Sequence, residues 1–242
     1  MRKTIDLGGM DGAEKGCTDI PRDGDFSFQC AGCGDCCRKR DDIVLSGYDL
    51  YRICRRLSLP PEIVIHAFCQ KFVVASTHIP VVRLAPRKES GNCPFFTAEN
   101  RCAIHDGKPL VCALYPLGQT IRTWQGMNPD DPADIEKAVS YFAQDTGCSG
   151  EKVQLTLSQY LDGFGIRERE PLDIRWARDC LALISRVKGL EKRLRPIEMK
   201  YLHRKIEKAL YLDLDFHEDF LPQYDRNIDE LERILSRLEG VT

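Results

Sequence analysis

No run of apolar residues in this 242-residue chain approaches the length of a membrane-spanning helix. The first residues, Met1 to Gly16, lack the apolar centre that an export signal needs. A bias of charge is missing too: 35 Lys and Arg face 37 Asp and Glu, a formal net charge of −2. That balance removes any global argument for nucleic acid or an anionic membrane as partner. Internal repeats and low-complexity tracts are absent. So are a glycine-rich nucleotide fingerprint after a strand, a nucleophile elbow, a defensible Ser-His-Asp order and the Cys-x3-Cys-x2-Cys spacing of radical enzymes. What is left is a cytoplasmic globular protein long enough to bury a genuine core.

Cysteine, by contrast, is abundant. There are 12, and without an export signal metal binding explains them better than disulfides do. Four fall within eight residues, Cys30-Ala31-Gly32-Cys33-Gly34-Asp35-Cys36-Cys37. Thiolates are soft anionic donors suited to zinc and to iron–sulfur chemistry. Cys-x-x-Cys aims two sulfurs at one centre through a tight turn, and Gly32 and Gly34 supply the positive φ that such turns need. The third cysteine repeats the spacing, as in the Cys-x2-Cys-x2-Cys run of bacterial ferredoxins. Cys37 stands apart. Neighbouring side chains tend to diverge, so Cys36 and Cys37 are expected to serve different centres or to bridge two.

The chain around the cluster reads as short elements. Residues 1–25 are rich in glycine and read as an irregular arm containing Cys17. Phe26-Ser27-Phe28 alternates like a strand delivering Cys30. Arg38-Lys39-Arg40 is either a solvated face or a counter-charge to the thiolates. Ile43 to Leu45 predicts a strand, and Ser46 with Asp49 a capping box opening a helix whose apolar face holds Leu50, Ile53, Cys54 and Leu57. Pro60-Pro61 restarts a helix running to Phe72, with His66 and Cys69 on or beside its apolar side. Residues 79–84 read as a strand. Cys93 precedes Pro94, a turn at Glu99-Asn100 leads to Cys102, and Cys112 lies in a short helix between Pro109 and Pro116. A strand over 119–124, a helix over 135–142 and the glycine-flanked Cys148 follow.

Beyond residue 150 the periodicity becomes helical. A short helix over 157–164 is followed by a stripe of Trp176, Cys180, Leu183, Val187, Leu190 and Leu194. A further helix from Pro196 is expected to turn Tyr201, Leu202, Ile206 and Leu210 inward. The last helix, after Pro222, carries Ile228, Leu231, Leu235 and Leu238. Residues 166–208 hold 13 Lys and Arg against 7 Asp and Glu, and residues 209–242 hold 3 against 9. An antiparallel helical hairpin with its basic and acidic faces together accounts for this, and interleaved acids argue against nucleic acid. This tail could dock on the metal domain or offer a surface to a protein partner.

Local context divides the cysteines. Cys30, Cys33, Cys36, Cys37, Cys93, Cys102, Cys112 and Cys148 are punctuated by glycine, proline or turns, and are the candidate metal ligands. Cys17, Cys54, Cys69 and Cys180 lie in the arm or on helical faces. With Phe28 to Cys37, Cys93-Pro94-Phe95, Cys102 to Cys112 and Tyr115-Pro116, the chain resembles the eight-cysteine zinc- or iron-chelating domain family, also called the Cys-x-x-Cys-x-x-Cys-Cys family. The resemblance covers about residues 26–150. Many relatives carry Tyr where His105 stands and Arg where Lys108 stands. That makes His105 a neighbour of the site rather than an obligatory ligand. Some relatives are labelled flagellin lysine-N-methylase.

The expected fold is α+β: an irregular arm (1–25), a loop-rich cysteine-cluster domain with short strands and peripheral helices (26–150), and a helical region (151–242). Eight ligands fit one or two four-cysteine iron–sulfur clusters, of the four-iron type, which is the first reading. Closed structural zinc sites are the alternative. The resemblance to methylase-labelled relatives implies a third, S-adenosylmethionine-dependent transfer to protein lysine. Its catalytic and cofactor-binding residues cannot be assigned from the chain.

Overall fold

The computed structural model describes residues 18–30, 33–143 and 151–240, so that Cys17, Gly32 and Cys148 lie outside the described residues. The protein is α+β. Its strands are β1 (Thr18–Ile20), β2 (Asp25–Gln29), β3 (Val44–Leu45), β4 (Cys69–Val73), β5 (Pro80–Leu84), β6 (Leu117–Ile121), β7 (Val139–Ala143) and β8 (Glu151–Thr156). Its helices are α1 (Gly47–Leu57), α2 (Pro61–Phe68), α3 (Leu110–Leu114), α4 (Pro132–Ala138), α5 (Leu157–Asp162), α6 (Ile166–Glu191), α7 (Pro196–Glu207) and α8 (Phe220–Glu239). Among the described residues no helix is long and apolar enough to cross a membrane.

Two compact units are interleaved along the chain. The first takes the described residues up to Arg38, together with Phe96–Ala103 and Leu110–Arg178. The second takes Lys39–Phe95, Ile104–Pro109 and the residues from Asp179 onward. Helix α6 supplies residues to both.

In the first unit, β1, β7 and β6 form an antiparallel sheet in that order, and β2 pairs with β8. Thr18 stands opposite Ala143 and Ile20 opposite Tyr141, so the expected irregular arm contains a strand. It is anchored further along as well. The Leu157 N–H donates to the Gly24 carbonyl at 2.9 Å, and Arg22 forms an ion pair with Glu170 at 3.1 Å. The core gathers Phe26, Phe28, Leu114, Tyr141, Leu157 and Ile174 among others. The helix expected over 135–142 stops at Ala138, because residues 139–143 pair with β6 and β1.

The second unit shows why local signals are strongest at helix starts. Ser46 Oγ accepts from the Asp49 N–H at 3.0 Å while Asp49 Oδ2 accepts from the Ser46 N–H at 3.1 Å, the reciprocal bonds of a capping box. Leu50, Ile53 and Cys54 of the predicted face are fully buried. Pro61 stands in the first turn of α2, where its missing N–H is harmless. That helix ends at Phe68 and not at Phe72. Residues 69–73 instead form β4, paired with β5 from Cys69 opposite Leu84 to Val73 opposite Pro80. An available partner strand overrides weak helical periodicity. His66 is exposed, and Tyr201, expected inward, is 51% exposed while Met199, Leu202 and Ile206 fill the buried face of α7.

The charge asymmetry of the tail is used, but with a different topology. Asp179 accepts from the Tyr224 hydroxyl, and further along α6 Arg186 bonds Glu232 and Glu239. Advancing along α6 thus advances along α8. The basic and acidic helices run parallel, with α7 as the return, and not as an antiparallel hairpin.

Candidate metal centre

The turn that carries the cysteine doublet is built around Gly34. Its φ of 75° is left-handed, and residues Asp35–Cys37 follow as one 3-10 turn, closed by the Cys37 N–H on the Gly34 carbonyl at 2.9 Å. A Cβ at position 34 would lie 2.5 Å from two atoms of the Phe96 ring. Glycine is therefore required twice, by conformation and by contact. The turn rests on the loop that carries Cys102. Phe96 and Cys102 form a bridge, and the Asn100 φ of 59° lets the loop double back as Glu99-Asn100 suggested. Arg38 fastens the two. Its guanidinium lies 5.3 Å from the Phe96 ring centroid and donates to Asn100 Oδ1 at 2.7 Å and to Asp35 at 3.2 Å. Of the two readings of the Arg38-Lys39-Arg40 run, Arg38 is thus a staple of the knuckle, while Arg40 pairs with Asp42.

Cys36 Sγ and Cys37 Sγ are 3.8 Å apart. This corrects the expectation that the doublet diverges. One rotatable bond separates each sulfur from its backbone, and in a tight 3-10 turn a matched pair of rotamers swings both to one side. The separation has chemical meaning. Two thiolates on one tetrahedral ion, each at about 2.3 Å, are about 3.8 Å apart.

The first unit also contains Cys30, at the end of β2, then Cys33, Cys102 and Cys112, the last on α3. Cys30 is exposed, and Cys33, Cys102 and Cys112 are half-buried. Cys93 is buried and falls in the second unit. Cys148 lies outside the described residues. Among the described residues no group of three or more Cys, His, Asp or Glu side chains is gathered closely enough to hold a metal ion. The doublet places two of the candidate sulfurs side by side. His105 belongs to the second unit, with its side chain 61% exposed, 3.7 Å from Asp106.

Tyr160, which sequence patterns did not single out, lies close to this region. Its hydroxyl donates to the Tyr115 carbonyl at 2.6 Å, just beyond the helix of Cys112. Burial, and then the charges of Cys30 and Cys36, push its phenol well above the usual tyrosine range, so it remains a protonated donor.

The cysteines set aside behave as a core does. Burial pushes the thiols of Cys54 and Cys69 up to about 12 and raises that of Cys180 further, so none is a thiolate at neutral pH. Cys54 and Cys180 are both buried. Cys54→Ala and Cys180→Ala are each expected to cost about 1–2 kcal/mol or less by denaturant unfolding. Metal content should be unchanged in both, and its loss in either would show that a ligand had been misassigned.

Comparison with known proteins gives a family for the cysteine-rich span. Residues 29–131 match the family model CxxCxxCC, described as "putative zinc- or iron-chelating domain". No curated protein and no solved structure matches the chain. The chain is a metal-binding protein, and the matched span includes seven of the turn-context cysteines, Cys30 to Cys112.

Proposed function

We propose that this metal-binding protein holds a closed tetrathiolate zinc ion on which Cys36 and Cys37 both sit, and that the ion is structural. The observation that carries this reading is the 3.8 Å between the two sulfurs, the edge of a tetrahedron of thiolates around one ion. A four-iron cluster with four cysteines takes one thiolate per iron, which sets its ligand sulfurs farther apart. Two further thiolates come from Cys30, Cys33, Cys102 and Cys112 of the same unit. The ion supplies fixed geometry to loops that have few strands of their own, and gathering its ligands around it couples binding to folding. Such thiolates need a reducing compartment, in keeping with a cytoplasmic protein.

An iron reading keeps one specific support. A two-iron cluster with four cysteines places two thiolates on each iron, and so uses the same sulfur pair. Metal and acid-labile sulfide, measured on protein made with ample iron and purified without oxygen, separate the two. Stoichiometric zinc with no labile sulfide is the expected result. Brown protein with labile sulfide and sulfide-to-iron absorption would replace zinc by iron–sulfur.

A further inference from the structure

We propose, resting on the metal reading above, that Tyr160 is the positioning residue of the centre, tying the strand that delivers Cys30 to the helix that carries Cys112. Tyr160 lies on α5, outside the span matched by the family model. Its ring meets Phe26 edge-on, with centroids 4.9 Å apart, and Phe28 at 6.4 Å. Both phenylalanines belong to β2, which ends one residue before Cys30. Its hydroxyl points the other way along the unit. It bonds the Tyr115 carbonyl at 2.6 Å and reaches the Ala113 carbonyl at 3.4 Å. These flank the last residue of α3, where a helix leaves carbonyls without intrahelical donors.

One side chain thus joins two ligand-bearing segments that are about 80 residues apart in the chain. The joint is dry, since Tyr160 is only 8% exposed. Water is therefore poorly placed to replace the hydroxyl on those carbonyls. Ligands on separate segments hold a metal more tightly when another contact already limits their separation, because less ordering is left to the binding step. Partners of this outer kind typically govern affinity by 10–100-fold.

Cobalt(II) titration of the full chain against a competing chelator, read by its visible ligand-field bands, tests the proposal. Tyr160→Phe keeps the ring and removes the joint to α3, so affinity should fall about tenfold and the bands should shift. Tyr141→Phe is the comparison, a buried tyrosine of the same unit whose hydroxyl serves Glu170 at 2.6 Å. It should lower the melting temperature and leave cobalt affinity and bands as they were. Should Tyr160→Phe fail to fold, Phe26→Leu loosens the other half of the joint and must weaken cobalt in the same direction. Wild-type affinity and bands in the variants on this joint would overturn the role of Tyr160 while the metal reading stands. So would an equal loss of affinity in Tyr141→Phe. A wild-type protein that binds no cobalt would defeat the metal reading itself, and this role with it.

Discussion

Cys36→Ser and Cys37→Ser are each expected to cost the same centre most of its affinity. Serine keeps the size of cysteine but replaces a soft thiolate with a hard, weakly acidic hydroxyl. A structural zinc site contributes about 10–16 kcal/mol, so one ligand in four accounts for about 3 kcal/mol, or about two decades in the dissociation constant. Because the two sulfurs stand 3.8 Å apart, both variants should leave the same residual cobalt spectrum. The double variant should be less than additive, as expected for two groups acting on one ion. Complementary residual spectra, each variant sparing what the other loses, would show instead that the doublet divides its sulfurs between two centres.

The second large effect is expected at Gly34. An alanine there must adopt a φ near 75°, which costs about 1–2 kcal/mol. Its methyl would also enter the Phe96 ring at 2.5 Å. Phe96 is buried and bridged to Cys102, so it cannot simply swing away, and overpacking of this kind costs about 1–3 kcal/mol more. Gly126 carries the first cost alone, having a φ of 83° but nothing within 4 Å of an added Cβ, so the difference between the two variants measures the second. Gly34→Ala should therefore melt well below Gly126→Ala, and it alone should weaken metal binding by displacing the loop of Cys102. Equal melting temperatures in the two variants would mean that the contact between the knuckle and Phe96 is not tight.

What could be read from the chain beforehand follows a physical division. The capping box at Ser46, the proline-started α2 and the alternation before Cys30 are signals complete within a few residues. Each was legible. Strand β1 and strand β8 were not, because three to six residues become a strand only through partners far away, Ala143 for Thr18 and Thr156 for Asp25. Residues 69–72 and 139–142 carry enough apolar periodicity to suggest helix, and it is their pairing with β5 and β6 that decides otherwise. At the candidate centre, spacing picked out cysteines in turns and the glycine at 34. It was silent on rotamers, which bring the doublet together, and on Phe96 and Tyr160, ordinary residues whose importance comes from what folds against them; Arg38 was noticed as a charge but not as the link to Asn100 and Phe96.

Strand β2 pairs Phe26 with Leu155, some 130 residues later in the chain. During synthesis at about 5–20 residues per second, roughly 6–25 s separate the emergence of these partners. The knuckle cysteines leave the ribosome long before β8, α5 and Tyr160 exist to hold them. On the proposed role of Tyr160, metal loading at the finished site is therefore expected to follow synthesis of α5, with the nascent thiols open until then to other ions and to oxidants.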